Sequence, residues 1–332
     1  MLRYFVRRLV AMIPTLFAIS VIIFFIIQLP PGDYLETYIA ELQSQGQNID
    51  QAKIQFLREQ YGLDQPFYIQ YGNWMWGLMH GDLGYSFEYN MPVNDLVGDR
   101  IWLTVVLAVA SIIFTYVVAF PIGIYSAVRQ YSIGDYFFSF LGYIGLATPN
   151  FLLALVLLYL FNVWFGTSIG GLMDPQFVNQ PLTWAKVASV AEHMWVPIIV
   201  IGTSGTAALI RRLRANLLDE LHKQYVVTAR AKGLGEGRLV FKYPLRLALN
   251  PFIADIGNLL PQLISGAVLV SVVLDLPTTG PLLLSALQSQ DMYLAGSFLF
   301  LQAVLVVVGV FVSDLLLAML DPRIRMGAGA VR

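Results

Sequence analysis

The sequence contains no cysteine and only three histidines among its 332 residues. Without cysteine, the chain has no disulfide, no thiolate metal ligand and no cysteine nucleophile. His80, His193 and His222 are far apart in sequence and form no ligand-spaced pair, so no metal or haem site is predicted. Charged residues make up only 12% of the chain, whereas soluble domains usually carry about 25%. The net charge of −1 gives no sign of a nucleic-acid partner, and we expect none.

Apolar residues make up 57% of the chain and gather into long runs, which predicts an all-α, polytopic membrane protein. A spanning helix needs about 20 apolar residues to cross about 30 Å of hydrocarbon. Six transmembrane helices are predicted, at about residues 9–28, 102–128, 137–163, 194–210, 252–274 and 294–320. The first run is too long for the apolar part of a signal peptide, so we interpret it as a retained helix.

The six runs divide the chain into four predicted parts. These are an N-terminal end with the first helix (1–28), a loop domain (29–101), a transmembrane core (102–320) that contains a loop at 211–250, and a tail (321–332). Sixteen of the 20 Lys and Arg residues flank the same ends of the runs, including both termini. Because cytoplasmic loops carry an excess of Lys and Arg, this side is predicted to be cytoplasmic, and the loop domain periplasmic.

The predicted periplasmic loop domain has two local features. Ile54, Leu57 and Tyr61 recur at helical spacing and predict a short amphipathic helix. Trp74 and Trp76 precede the second span and are typical of interfacial aromatic residues. The loop domain is either a folded cap on the outer face or a docking surface for a soluble partner.

The loop 211–250 is strongly basic, and positive-inside topology accounts for its charge but not for its small residues. Thr228–Lys232 contains good helix formers, and Gly233 can end that helix in a tight turn. A second basic helix is predicted from the turn to Asn250, after which Pro251 opens the fifth span. Such a segment suits a groove in a soluble partner. The small residues recur at alternating positions: Ala229, Ala231, Gly233, Gly235 and Gly237.

Residues 228–234 read Thr-Ala-Arg-Ala-Lys-Gly-Leu, and here the sequence resembles the inner-membrane permease subunits of binding-protein-dependent ABC importers. The oligopeptide, dipeptide and nickel branch, with its dipeptide permease B-like members, is the most similar. The resemblance covers almost the whole chain. Other motifs of the branch stand in the same order: Arg3-Tyr4, Arg7-Arg8-Leu9, Pro14, Pro31-Gly32-Asp33, Tyr61-Gly62-Leu63-Asp64-Gln65-Pro66, Gly81-Asp82-Leu83-Gly84, Ser86 and Leu320-Asp321-Pro322-Arg323-Ile324-Arg325.

The chain departs from this branch in two places. Val227 occupies the position of the glutamate in the family's Glu-Ala-Ala loop, so no role of that acid is carried over. The insert between the third and fourth predicted spans is longer than in simple dipeptide permeases. The solute therefore stays open among a di- or oligopeptide, an oligosaccharide, an opine-like solute and a nickel complex.

The resemblance implies a type I ABC importer permease fold in a bacterial inner membrane. The expected partners are a second homologous permease in a heterodimer, two cytoplasmic ABC ATPase subunits, and a periplasmic or lipid-anchored solute-binding protein. This chain would form half of the translocation pathway and contact an ATPase through the loop 225–246. The implied ATPase-coupling residues are Thr228, Ala229, Arg230, Ala231, Lys232, Gly233, Leu234, Arg238 and Leu239.

The sequence has no phosphate-binding loop with a terminal Lys-Ser/Thr, and the glycine-rich stretch 233–237 lacks that ending. We therefore expect ATP hydrolysis on separate subunits, and neither catalytic residues nor a cofactor on this chain. A secondary transporter is the alternative from another class. It would need ion-coupling groups and often paired halves, but Asp255 is the one acid deep in a predicted span, and no duplication is visible.

Polar residues inside spans are candidates for the pathway, because they are costly in lipid and usually face a bundle interior. Asp255, Asn258 and Gln262 recur on one face of the fifth predicted helix. Pro149 interrupts the third span and frees backbone groups there. An alternative is that these residues only hold helices together. The predicted pathway residues are Thr148, Asn150, Asp255, Asn258, Gln262 and Ser265.

Overall fold

A computed structural model describes residues 2–29, 39, 62, 64–166, 169–177 and 180–320. Over these residues the fold is all-α apart from one short antiparallel pair, β1 (Tyr85–Ser86) and β2 (Met91–Pro92). The predicted helix around Ile54 and the predicted tail 321–332 lie outside the described residues. The helices are α1 Leu2–Ile27, α2 Phe67–Met79, α3 Val93–Val128, α4 Ile133–Ala147, α5 Asn150–Phe165, α6 Trp184–His193, α7 Trp195–Leu221, α8 Gln224–Ala231, α9 Glu236–Lys242, α10 Pro244–Ala248, α11 Asn250–Val273, α12 Thr279–Gln288 and α13 Met292–Leu320.

Several helices have the length and composition of membrane spans. Within the described residues these are α1, α3, α7 and α13, and the bent pair α4–α5 passes the same test as one unit. The fifth predicted run forms α11, in which the side chains of residues 253–254 and 256–265 are not described. The described chain therefore holds four or five candidate spans, and the count of six stays a prediction.

Two spans are longer than the hydropathy predicted. Helix α3 begins at Val93 rather than near Trp102, with Asp95 in its first turn. Helix α7 continues to Leu221 rather than ending near Ile210. Charged residues lower the local hydropathy, but an acid favours a helix start, and Arg and Leu are strong helix formers. The predicted loop 211–250 therefore begins inside α7.

The third predicted span is broken. Helices α4 and α5 meet at Thr148–Pro149 with a bend of 101°. Thr148 has an extended backbone (φ −91°, ψ 118°), the conformation that a following proline imposes. Its hydroxyl donates to the carbonyl of Ile144, 2.9 Å away, and so satisfies one group at the end of α4. The polar residues predicted for the pathway in this span therefore flank a break between helices.

Contacts divide the chain into two compact units. The first unit comprises Met1–Leu103 and Thr278–Val308. One of its clusters joins the start of α3 to α12 and α13 through Val93, Leu282 and Phe298. Another packs Trp74 of α2 against α1 and α13. Trp74 is therefore buried, contrary to the interfacial role predicted for it, whereas Trp76 is 65% exposed.

The second unit comprises Thr104–Pro277 and Gly309–Arg332. Helix α7 is central to it, because α4, α5, α10 and α11 all pack against this helix. Leu213 and Leu217 are fully buried and lie in one cluster with Val240, Leu245 and Phe252. Helices α9, α10 and α11 thus share an apolar core with the end of α7.

Candidate functional site

The basic loop of the sequence folds as three short helices, α8, α9 and α10, which we call the segment 224–248. Helix α8 ends at Ala231, and Gly233 follows with φ +81°. This left-handed conformation suits glycine, and it makes the turn predicted from the sequence. The predicted second helix is interrupted at Tyr243, because Pro244 starts a new helix, α10. The segment is therefore a helix, a tight turn and two further helices.

Helix α8 has a buried face and an exposed face. Val226 and Ala229 are buried and pack with Leu239 of α9. Leu234 is partly buried against the same cluster. Three residues of the predicted ATPase-coupling set, Ala229, Leu234 and Leu239, are therefore wholly or partly packed against this chain. The predicted ATPase-coupling residues that are exposed are Thr228, Arg230, Ala231, Lys232, Gly233 and Arg238.

An ion pair spans the turn of the segment. The Nε of Arg230 lies 2.5 Å from Oε1 of Glu236, and its Nη2 lies 3.1 Å from Oε2. The hydrogen bonds from Arg230 lower the pKa of Glu236, and Glu236 in turn raises the pKa of Arg230. Both side chains are exposed, so water and salt screen their attraction. The pair orients the turn rather than stabilising the fold strongly.

The segment is joined to α7 by polar contacts at their corner. Glu220, in the last turn of α7, accepts a hydrogen bond of 2.6 Å from the hydroxyl of Tyr225. It also pairs with Lys223, whose Nζ lies 2.9 Å from the carboxylate. Burial, and then the contact with Glu220, raises the pKa of Tyr225. The corner between α7 and α8 is therefore fixed by side chains as well as by the backbone.

Two arginines of α7 reach different helices. Arg212 forms an ion pair with Asp255 of α11, and its guanidinium lies 5.9 Å from the ring centre of Phe252. Arg214 holds Asp135 of α4 with two hydrogen bonds of 2.8 Å. The sequence prediction treated both arginines as topological charge. An acid three residues after Ser132, ahead of an apolar run, is a helix-start signal that could have drawn attention to Asp135.

The residues predicted for the pathway are only partly brought together. Asp255 is paired with Arg212, and Thr148 and Asn150 flank the break between α4 and α5. Asn258, Gln262 and Ser265 belong to α11, but their side chains are outside the description. Over the described residues, no three His, Asp or Glu side chains form a group that could hold a metal ion.

A buried carboxylate, which the sequence did not single out, anchors the β1–β2 hairpin in the first unit. Asp291 is fully buried and precedes α13. Its Oδ2 accepts hydrogen bonds from the hydroxyl of Ser86 (2.6 Å) and the amides of Phe87 (2.8 Å) and Glu88 (3.1 Å). Its Oδ1 accepts from the amide of Leu294 (3.2 Å). Burial raises the pKa of Asp291, while these hydrogen bonds act in the opposite direction.

Comparisons with known proteins agree with this architecture. Residues 119–326 match the model of the family "Binding-protein-dependent transport system inner membrane component", and residues 1–108 match the N-terminal model of the same kind of component. The alignments with similar proteins cover nearly the full length of this chain and of each relative. The oligopeptide transport system permease protein AppB of Bacillus subtilis is 35% identical over 98% of this chain and 99% of its own. The dipeptide transport system permease protein DppB of Escherichia coli K12 is 32% identical over the same shares.

A third relative carries a different solute name. The peptidoglycan transport system permease protein YejB of Agrobacterium fabrum is 30% identical over 97% of each chain. The two family models together span most of the sequence, including the segment 224–248. The chain therefore belongs to the family of binding-protein-dependent transport system inner membrane components, the multi-pass permeases of ABC importers.

Proposed function

We propose that this chain forms half of a pathway through which a di- or oligopeptide enters the cell, powered by ATPase subunits on other chains. The observation that carries the proposal is the segment 224–248, whose buried face is packed on α7 and whose exposed face is basic. The names of AppB and DppB support peptides as the solute. A second permease completes the pathway, and a solute-binding protein delivers the peptide from outside.

The exposed face of the segment is the proposed contact with an ATPase, with both chain termini in the cytoplasm. Thr228, Lys232 and Arg238 lie on this face, and Gly233 makes the turn between its helices. Ala229, Leu234 and Leu239 support the face from beneath. Closure of the ATPases upon ATP binding would displace the segment and switch the access of the pathway.

Reconstitution into vesicles tests this function. The tagged chain is purified with its copurifying subunits, and uptake of labelled di- and oligopeptides is measured with its binding protein. We expect uptake that requires ATP and the ATPase subunits. Oligosaccharide, opine-like and nickel substrates are compared in parallel, so that a different solute is recognised. Uptake driven by an ion gradient without ATPase subunits would contradict the proposal and favour a secondary transporter.

We further propose that one face of α11 lines the pathway, together with Thr148 and Asn150 beside the break. On a helix of 3.6 residues per turn, Asp255, Asn258, Gln262 and Ser265 share a face, and position 260 lies opposite. The ion pair between Asp255 and Arg212 would stand at one end of this face. Water in a pathway reaches such positions, whereas lipid and packed helices exclude it.

Because the chain has no cysteine, an introduced one is its only thiol. We expect Asn258→Cys and Gln262→Cys to react faster than Leu260→Cys with a membrane-impermeant maleimide, because the reagent reaches thiols that face water. The rates are measured on the assembled complex, with and without ATP. Equal rates at positions 258, 260 and 262 would exclude a pathway along this face.

A further inference from the structure

The contact between Arg214 and Asp135 is a bidentate ion pair with a buried carboxylate in the second unit. The Nε and Nη2 of Arg214 each lie 2.8 Å from one oxygen of the carboxylate, a two-pronged geometry that fixes direction as well as distance. The Asp135 side chain is only 3% exposed, and that of Arg214 is 26% exposed. Water therefore screens this pair much less than the exposed pair in the turn of the segment.

Asp135 is itself held in place by the turn that precedes α4. Its carboxylate accepts a hydrogen bond of 2.9 Å from the amide of Tyr131, a residue with φ 62°. The amide of Asp135 donates to the hydroxyl of Ser132, which caps the helix. These hydrogen bonds restrict rotation of the Asp135 side chain. A displacement of its carboxylate would therefore also displace the first turn of α4.

On the other side of the pair, α7 and the segment 224–248 form one packed body. Leu213 and Leu217, on either side of Arg214 in the sequence, are buried with Val240 and Leu245 of the segment. The corner beyond them is fixed by Glu220, which binds Tyr225 and Lys223. A displacement of the segment therefore moves Arg214 with it.

Helix α4 leads from Asp135 to the break at Thr148–Pro149. Arg212 and Arg214 are two residues apart, about 200° around a helix of 3.6 residues per turn. They consequently reach in different directions, Arg212 to α11 and Arg214 to α4. Helix α7 thus holds, through charged pairs, both α11, which carries proposed pathway residues, and α4, which ends at the break beside the others.

We propose that Arg214 and Asp135 are positioning residues that transmit displacement of the segment 224–248 to the broken helix pair α4–α5. This inference rests on the proposed coupling of the segment to an ATPase. A purely structural role is the alternative, since a buried ion pair contributes little net stability but is costly to break. The two roles differ in one quantity, the amount of solute moved for each ATP hydrolysed.

Arg214→Lys tests the proposal in the reconstituted complex, because lysine keeps the charge but loses the two-pronged contact. We expect ATP hydrolysis to stay near the wild-type rate, while solute moved per ATP falls by about threefold, in the range typical of coupling residues. Arg211→Lys is the matched control, because Arg211 is an exposed neighbour on the same helix. Equal yields per ATP in the two variants would overturn the proposal.

A second variant distinguishes a loss of coupling from a folding defect. Asp135→Asn combined with Arg214→Gln removes both charges and leaves a neutral amide at each position, and the two single substitutions complete a double-mutant cycle. We expect the double variant to assemble and to show the same loss per ATP as Arg214→Lys. Loss of assembly in all variants would assign the pair to folding and overturn the proposal. Absence of ATP-dependent uptake in the wild type would instead refute the proposed function.

Discussion

Asp291→Ala is expected to lower the free energy of unfolding by about 3 kcal/mol, because it leaves several buried donors without an acceptor. The hydroxyl of Ser86 and the amides of Phe87, Glu88 and Leu294 all donate to this carboxylate. Water does not reach these groups readily, since Asp291 and Ser86 are fully buried. The β1–β2 hairpin would separate from the start of α13.

Thermal and denaturant unfolding of the purified protein in detergent measure this effect. Asp64→Ala is the control, because Asp64 is exposed and its substitution should change stability by less than about 0.5 kcal/mol.

The stability should also depend on pH through Asp291. Burial raises the pKa of Asp291 above its ordinary value of 3.8, so its carboxyl group binds a proton more readily in the native state than in the unfolded chain. The stabilisation from its protonation is present below pH 3.8 and is lost as pH rises through the native pKa.

Asp291→Asn should remove that dependence on pH, because asparagine does not titrate. Its amide oxygen can still accept from the hairpin, so we expect it to be less destabilising than alanine. A loss of stability no greater in Asp291→Ala than in Asp64→Ala would contradict the role assigned to the carboxylate. So would an unfolding curve whose pH dependence is the same in Asp291→Asn as in the wild type.

Gly233→Val is expected to reduce solute-stimulated ATP hydrolysis by at least about tenfold, because a left-handed backbone costs an L-residue about 1–2 kcal/mol and a β-branched one more. Gly233 has φ +81°, and a Cβ there would meet no atom within 4 Å. The strain is therefore in the backbone alone. It would be relieved by opening the turn, which separates α8 from α9 and disrupts the exposed face of the segment.

Gly235→Val is the matched control for this turn. A Cβ at Gly235 also meets no atom within 4 Å, but its backbone (φ −62°, ψ 141°) suits any residue. Membrane content and ATP hydrolysis are compared in reconstituted vesicles. We expect both variants to reach the membrane and only Gly233→Val to lose stimulation. If solute stimulates ATP hydrolysis in Gly233→Val as strongly as in Gly235→Val, the turn does not couple to the ATPase.

The family and the apolar runs could be predicted from the sequence because both are local properties. Residues 228–234, on which the resemblance was based, lie inside the matched range 119–326, and the spans α1 and α13 end close to where hydropathy placed them. The helical start at Val93 was missed, because Asp95 and its charged neighbours lower the hydropathy of a stretch that packs well.

The polar contacts could not be predicted, because they join residues far apart in sequence. Asp135 and Arg214 are 79 positions apart, and Ser86 and Asp291 are 205 positions apart. The count of basic residues assigned Arg214 to the predicted cytoplasmic side but gave no information on its partner. Likewise, alternating small residues indicated a contact surface, whereas burial of Ala229 depends on Leu239 folding back across the turn.

The break between α4 and α5 also constrains the surroundings of this protein in the bilayer. An interrupted helix leaves terminal amides and carbonyls without intrahelical partners, and hydrocarbon offers them none. Helix α4 has 15 residues, so at 1.5 Å per residue it extends about 22 Å, less than the hydrocarbon thickness. A bend at Thr148–Pro149 that lies at hydrocarbon depth therefore needs protein or water beside it, because acyl chains cannot satisfy these groups.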